Sequence, residues 1–244
     1  PGRPAANGLS ERIHFLLIRR ERGNVRRRSS AIAVAAAALV AVVGRADAAS
    51  ETLAYRVHHA TYGNIGTYTN VIERRGDGTS VRSELHLAVK LLGVVVWRQE
   101  AFRTEEWGQN RLISFEGVTV TNGKRSEIHG AARDDRFVII APGGTVEAPA
   151  NVHPSNPWSA AVLAPGAMMS TSTGEVTTVA IIGGEMQTVD LDGKTLHLRQ
   201  FDIIGEKHRV VWLDDARVPV AFRTEERGAV VDFILEDHRG AAFP

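Results

Sequence analysis

The 244-residue chain carries 29 Lys and Arg against 28 Asp and Glu, and it has no cysteine. A disulfide framework, a zinc–thiolate site, an iron–sulfur cluster and a cysteine nucleophile are therefore excluded. Charged residues at 23% and hydrophobic ones at 43% are the proportions of a globular chain, neither disordered nor a polytopic membrane protein.

The formal charge of +1 conceals an uneven distribution. Arg26-Arg27-Arg28 precedes an apolar run from Ala31 to Gly44, and small residues in an A-x-A arrangement follow at Ala46 and Ala48. A basic end, a short apolar stretch and a small-residue exit are the three parts of a secretory signal peptide. The apolar run is about 14 residues, whereas a membrane-spanning anchor needs roughly 20. The expectation is a signal peptide over 25–48, cleaved after Ala48 or Ala49. Residues 1–24 are read as a disordered extension upstream of a start at Val25, and 49–244 as one periplasmic or secreted β domain. Residues 1–48 hold nine of the 29 basic and three of the 28 acidic side chains, so the remainder carries 20 against 25, a formal −5. A nucleic-acid partner loses its compositional support, because binding phosphates needs a net positive face.

From Glu51 onward, apolar and polar residues alternate with period two between turn residues, the pattern of antiparallel strands with one wet face. Strand segments are predicted at 51–60, 65–75, 79–91, 94–107, 111–121, 125–132, 136–141, 176–182, 185–191, 195–204, 208–213, 218–225 and 229–236, merging to ten or eleven strands. Gly63-Asn64, Gly76-Asp77-Gly78, Asn122-Gly123, Asp134-Asp135, Gly143-Gly144, Gly183-Gly184, Asp192-Gly193 and Asp214-Asp215 supply the reversals. The segment 150–172 interrupts this rhythm. Pro154 and Pro157 ahead of Ser159-Ala160-Ala161-Val162-Leu163, with Pro165-Gly166 after it, mark a short helical or irregular insertion. The fold class expected is all-β: a curved antiparallel meander forming a half-open barrel, with that one insertion. Leu91-Leu92-Gly93-Val94-Val95-Val96-Trp97 breaks the alternation and is expected to be buried on both faces. An outer-membrane barrel is disfavoured, since interior strands carry charges on both faces.

Ala101-Phe102-Arg103-Thr104-Glu105-Glu106-Trp107-Gly108 recurs as Ala221-Phe222-Arg223-Thr224-Glu225-Glu226-Arg227-Gly228, identical at seven of eight positions. Either a duplicated half-domain or a coincidence of strand endings accounts for it. In both copies Phe102 and Phe222 are expected to face inward, and Arg103/Glu105 and Arg223/Glu225 to face water.

Catalytic signatures are scarce. His58 and His59 are sequential on a strand and point to opposite faces, and the other histidines show no H-x-H or H-x-x-x-H spacing, so no metal site is expected. A G-x-S-x-G elbow, a dinucleotide fingerprint and a Walker loop are missing, and no cofactor is implied. What remains is binding. Trp97, Trp107 and Trp158, with His153 on the insertion, are the candidate ligand-binding residues, able to line or cap a concave apolar face.

Tyr55-Arg56-Val57 with Gly66, Val89-Lys90-Leu91-Leu92-Gly93, Glu106-Trp107 before Arg111-Leu112, Asn122-Gly123, Pro154 to Trp158 and Val211-Trp212-Leu213-Asp214 together resemble a family of uncharacterised exported bacterial proteins, a domain of unknown function. The resemblance spans Tyr55 to Glu236 and implies the antiparallel half-barrel of bacterial lipoprotein carriers, a sheet wrapped around an apolar cavity. It brings no catalytic residue. Lipoprotein relatives end their leader on a cysteine that this chain lacks, so the expectation is a soluble protein without a lipid anchor. The function expected is binding or carrying a lipid or other apolar or amphipathic small molecule. An exported hydrolase with strand-borne His and Asp, or a structural envelope protein without ligand, stands as the alternative.

Overall fold

The computed structural model describes residues 49–191, 193–226 and 228–240. The expected extension (1–24) and signal peptide (25–48) lie outside the described residues. Fifteen strands follow in chain order: β1 (Ala49–His59), β2 (Gly63–Arg75), β3 (Gly78–Leu91), β4 (Val94–Gly108), β5 (Arg111–Thr121), β6 (Lys124–Arg133), β7 (Arg136–Ala141), β8 (Gly144–Pro149), β9 (His153–Pro154), β10 (Gly166–Met169), β11 (Val176–Leu191), β12 (Lys194–Ile204), β13 (Arg209–Leu213), β14 (Pro219–Glu226) and β15 (Ala229–Arg239). They form one sheet in the order β8-β7-β6-β5-β4-β3-β2-β1-β15-β14-β13-β12-β11-β10-β9. Every neighbour is antiparallel except the two-residue β9, which runs parallel to β10.

The meander follows from the sequence pattern. Alternation puts Leu53, Tyr55 and Val57 of β1 on the inner face, and Val81, Leu85, Leu87 and Val89 of β3 beside them. Hairpins close where residues accept positive φ, as at Asn122-Gly123 and Asp134. The sheet is not closed into a barrel, yet its two edge strands are sequential: β8 and β9 are joined by residues 150–152, which span at most about 14 Å. So short a link forces the sheet to curl until its ends approach. The all-β, half-barrel-like fold expected from the sequence is the one observed.

The details depart from expectation in several places, first in number: fifteen strands form where ten or eleven were expected, because β8, β9 and β10 also pair into the sheet. The segments 176–182 and 185–191 are one strand, β11, because Gly183-Gly184 makes a bulge and not a hairpin turn. A Cβ at Gly183 would lie 2.6 Å from the Gln200 carbonyl oxygen, so the close approach of β12 requires glycine. The insertion is short and largely irregular, as expected; its helical part is one 3-10 turn, Ala160–Leu163, capped by Ser159 Oγ, which accepts from the Ala161 N–H at 3.2 Å. Leu91 to Val96 are exposed instead of buried. Finally, the repeated octapeptide faces opposite ways. In β14, Phe222 joins the inner core as expected, but in β4 Phe102 is 45% exposed while Arg103 and Glu105 are buried. Period-two alternation is indifferent to which face is wet, and here the polar partners that await inside decide it.

The interior has two halves. Beneath β5–β7, Leu112, Phe115, Ile128, Phe137 and Ile139 pack solidly against Val152 and Met169 of the insertion. Beneath β1–β3 and β12–β15, Tyr55, Tyr68, Phe222 and Phe233 form an aromatic floor, the last two rings stacked at 4.2 Å. A third cluster lies on the outer face, where the β11–β12 arm packs Leu191 and Leu198 on Val210, Trp212 and Ala221.

Candidate functional site

The hollow half of the interior holds a cavity of about 780 Å³. Its walls are the inward residues of β2 and β3 (Ile65, Tyr68, Leu85, Leu87, Val89) and of β12–β15 (Ile203, Val211, Phe222, Val231, Phe233). Its mouth lies at the end of the sheet carrying the β1–β2, β3–β4 and β12–β13 turns, where Tyr62, Val96, Trp97 and Lys207 line it. The cations Arg103, Lys207, Arg209 and Arg223 are among the lining residues, and no Asp or Glu is. Arg223 is already held by Asp232 through Nε and Nη2, at 2.6 and 3.0 Å. That sign is notable in a domain whose composition is acidic.

The insertion forms the cavity's inner wall through Ser155, Asn156, Pro157, Val162 and Ser170 to Thr173. It is held there by a buried polar cluster. Glu105, fully buried on β4, accepts three hydrogen bonds, each 2.9 Å: from Asn156 Nδ2 on Oε1, and from Trp107 Nε1 and Trp158 Nε1 on Oε2. Asn156 Nδ2 also donates to Ser83 Oγ at 2.9 Å, and Ser83 in turn donates to Asn70 Oδ1 at 2.7 Å. Tyr68 donates its hydroxyl proton to Asn156 Oδ1. Arg103 Nε donates to the Thr171 carbonyl at 3.1 Å, tying the far end of the insertion to β4.

Burial sets the ionisation of this cluster. It raises the Glu105 carboxyl above the ordinary carboxylate range, against the opposing pull of its three N–H donors and of the Arg103 charge. It lowers Arg103 from the usual guanidinium value, with Tyr68 and Glu105 opposing, and pushes the Tyr68 phenol up to about 12. Asn70 Nδ2 is buried without a hydrogen-bond partner, beside this network.

The four sequence candidates are placed apart. Trp97 lines the cavity near its mouth. Trp107 and Trp158 meet edge to face at 5.9 Å and serve Glu105; Trp158 borders a separate crevice of about 590 Å³ with Glu51, Arg74 and Asp215. His153 is buried within the insertion, donating from Nε2 to the Ala164 carbonyl at 2.8 Å, and burial lowers its pKa so that the neutral ring is favoured. It is not among the cavity-lining residues. Arg103, Arg209 and Asn156 carry no sequence motif; only the inward parity of β4 and β13 could have pointed to the two arginines.

Among the described residues no group of three His, Cys, Asp or Glu is placed to hold a metal ion. Among the described residues the histidine–carboxylate pairs, such as His208 Nε2 with Asp202 Oδ1 at 2.7 Å and His238 Nε2 with Glu51 Oε1 at 2.9 Å, have no hydroxyl hydrogen-bonded to the ring. Among the described residues the histidine–hydroxyl contact is Thr188 Oγ1 to His197 Nδ1 at 3.2 Å, exposed on the β11–β12 arm and away from the cavity.

A family model described as a domain of unknown function (DUF6134) matches residues 55–236. No curated protein matches the chain. A crystal structure of a β-barrel-like protein of the domain of unknown function DUF1849, from Brucella abortus, superposes with a TM-score of 0.56 over 79% of this chain and 98% of that one, at 9% identity. At that identity the likeness is one of fold.

Proposed function

We propose that this chain, which belongs to the DUF6134 family of unknown function, is an exported, periplasmic binding protein for an amphipathic small molecule with an acidic head and an apolar body. The supporting observation is the cavity: about 780 Å³, walled by aliphatic and aromatic side chains, with arginine and lysine but no carboxylate in its lining. That volume lies within the range of small-molecule sites. An apolar body buried against Leu85, Leu87, Val211 and Phe233 leaves water at about 25 cal/mol per Å². An acidic head gains most beside a cation that is already desolvated, as Arg103 is. Lipids and their acidic fragments have this chemistry.

The test is titration of the full chain with 11-(dansylamino)undecanoic acid, followed by dansyl emission. Saturable binding is expected, and Leu87→Trp, which fills the cavity from its wall, is expected to abolish it while leaving the far-ultraviolet circular dichroism unchanged. A folded Leu87→Trp protein that binds the probe as the parent does would overturn the assignment.

A further inference from the structure

The β3–β4 hairpin stands clear of the sheet. Its two strands pair with each other out to Leu91 and Val94, but the last rung of β3 on β2 is Leu87–Gly66, and the last rung of β4 on β5 is Gln99–Thr121. About four residues of each strand therefore project beyond both neighbours, a reach of about 13 Å. The projecting ribbon is aliphatic. Leu92 at its tip is wholly exposed and Val94 is 64% exposed, and Leu91, Val95 and Val96 are about half exposed. Leu91 pairs with Val94 on one face while Val95 sits beside Lys90 on the other, so neither face is the polar one that an antiparallel ribbon normally shows to water.

Local physics does not account for the tip. Leu92 has φ +51° and Gly93 φ +83°, a turn in which both central residues adopt the left-handed region. Asn and Asp are suited to that first position, and the sheet uses Asn122 and Asp134 in this way; the other described non-glycine residues at positive φ, Gln109, Asn110 and Arg217, are also polar. Leu92 is the apolar exception, held in a disfavoured backbone conformation with its side chain entirely in solvent. The β11–β12 arm, by contrast, turns its leucines back onto the sheet.

The surroundings identify the medium that would cover it. From Leu85 to Gln99 the formally charged side chains are Lys90 and Arg98, and no Asp or Glu occurs. Arg98 is paired with Glu100 at 2.6 Å, whereas Lys90 is exposed with no carboxylate partner among the described residues. Lys124, on the adjoining β5–β6 turn, is also exposed, and Tyr62, 46% exposed on the β1–β2 turn, lies at the same end. Aliphatic side chains on both faces of a narrow ribbon suit a surrounding fluid more than a protein groove, which covers one face. A collar of lysine and tyrosine is what a headgroup layer receives. The unpaired backbone edges of the ribbon keep the depth shallow, since amide groups without partners are excluded from hydrocarbon.

We propose that the β3–β4 hairpin tip, Leu91 to Val96, is a membrane anchor that inserts into the interface of an anionic lipid surface, with Lys90 and Lys124 at the headgroups. This holds whatever the cavity binds. It also brings the mouth, through Val96 and Trp97, to the lipid.

The absence of native cysteine makes the test direct. The full chain carrying Leu92→Cys, or Asp77→Cys on the β2–β3 turn at the opposite end, is labelled with the polarity-sensitive fluorophore NBD and mixed with vesicles of phosphatidylethanolamine and phosphatidylglycerol. Several-fold brightening with a blue shift is expected at position 92 and none at 77. Lys90→Gln in the Leu92→Cys background is expected to weaken partition about fivefold, the effect of one cation at an anionic surface. An unchanged spectrum at 92, or equal changes at 92 and 77, overturns the proposal, the latter because it reports tethering by some other segment. Brightening at 92 that needs only concentrated protein and no vesicles also overturns it, in favour of a second copy of the chain.

Discussion

Glu105→Ala isolates the contact that holds the insertion inside the sheet. The substitution removes a fully buried carboxylate that accepts three N–H bonds of 2.9 Å, two from indoles of which one is on the insertion, and one from Asn156, also on the insertion. Asn156 Nδ2 keeps Ser83, but both indole N–H groups lose their acceptor and Arg103 loses the neighbouring negative charge. Removing one member of a buried charged network costs about 3–5 kcal/mol. The lower end applies here, because Trp107 and Trp158 are partly exposed and water can replace part of what they lose. At about 3 kcal/mol the urea midpoint should fall by roughly 1 M with the slope unchanged. The thermal midpoint should fall by about 6–12 °C for a domain of this size. Urea unfolding of the full chain by far-ultraviolet circular dichroism makes the measurement, and Trp158→Phe, which keeps an aromatic ring but loses the indole N–H and some packing area, should cost at least about 1 kcal/mol. A Glu105→Ala midpoint within about 0.2 M of the parent would refute the reasoning, since it would mean the carboxylate's own desolvation cancels all three bonds.

The same carboxyl makes stability depend on pH. Its native pKa is raised by burial, so between the ordinary carboxylate value and that raised value the native state binds a proton that the unfolded chain lacks. Stability from this group is complete below the ordinary value and is lost as pH rises through the raised one; the parent should therefore gain on Glu105→Gln as pH is lowered across that window, and a pH-independent difference in urea midpoints would contradict the burial effect. Arg209→Gln removes a cavity-lining cation; it should weaken dansyl-undecanoic acid but not its methyl ester, and equal weakening of both would exclude recognition of the acidic head. His153→Phe should lose about 1 kcal/mol with the Ala164 bond, yet leave probe affinity unchanged, because the ring does not line the cavity; a large loss of affinity would contradict that placement.

The fold was largely legible because antiparallel strands announce themselves in period two and in their turn residues. Strands β1 to β7 and β12 to β15 lie within a few residues of their predicted bounds. What failed were judgements about faces. Alternation in Ala-Phe-Arg-Thr-Glu-Glu is as consistent with Phe inside as with Arg and Glu inside, and the two copies adopt one choice each. In β4 the choice depends on Asn156 and Trp158, some fifty positions away, and no local pattern encodes it. The run Leu91 to Val96 misled for a related reason: an apolar stretch normally signals burial on both faces, and exposure here comes from the hairpin outrunning its neighbours, a property of register. Of the candidate site, aromatic composition located Trp97, and the cationic lining was hidden by a net charge of the opposite sign.

The two interior halves differ for a reason that can be traced to glycine. A Cβ at Gly130 would lie 2.4 Å from the Phe137 ring, and one at Gly117 would lie 2.9 Å from Phe115. These bare backbone positions on β5 and β6 give the two phenyl groups room to lie flat, and with Met169 and Val152 they fill that half. Gly174 does the same for the insertion: at φ +78° its bare backbone abuts Ala141 and Ile139, so the loop seats on β7. In the hollow half Gly184 makes similar room for the Phe201 ring, but at the rim on β11 and not across the floor. The rings of that floor stack on one another as Phe222 and Phe233 do, which leaves the space above to be lined and not filled. The insertion is thus fixed by apolar packing on one side and by Glu105 on the other, so it serves as the cavity's wall and not as a mobile lid. On the proposed binding function, a ligand would enter at the end where Trp97 and Tyr62 line the cavity and the projecting hairpin stands.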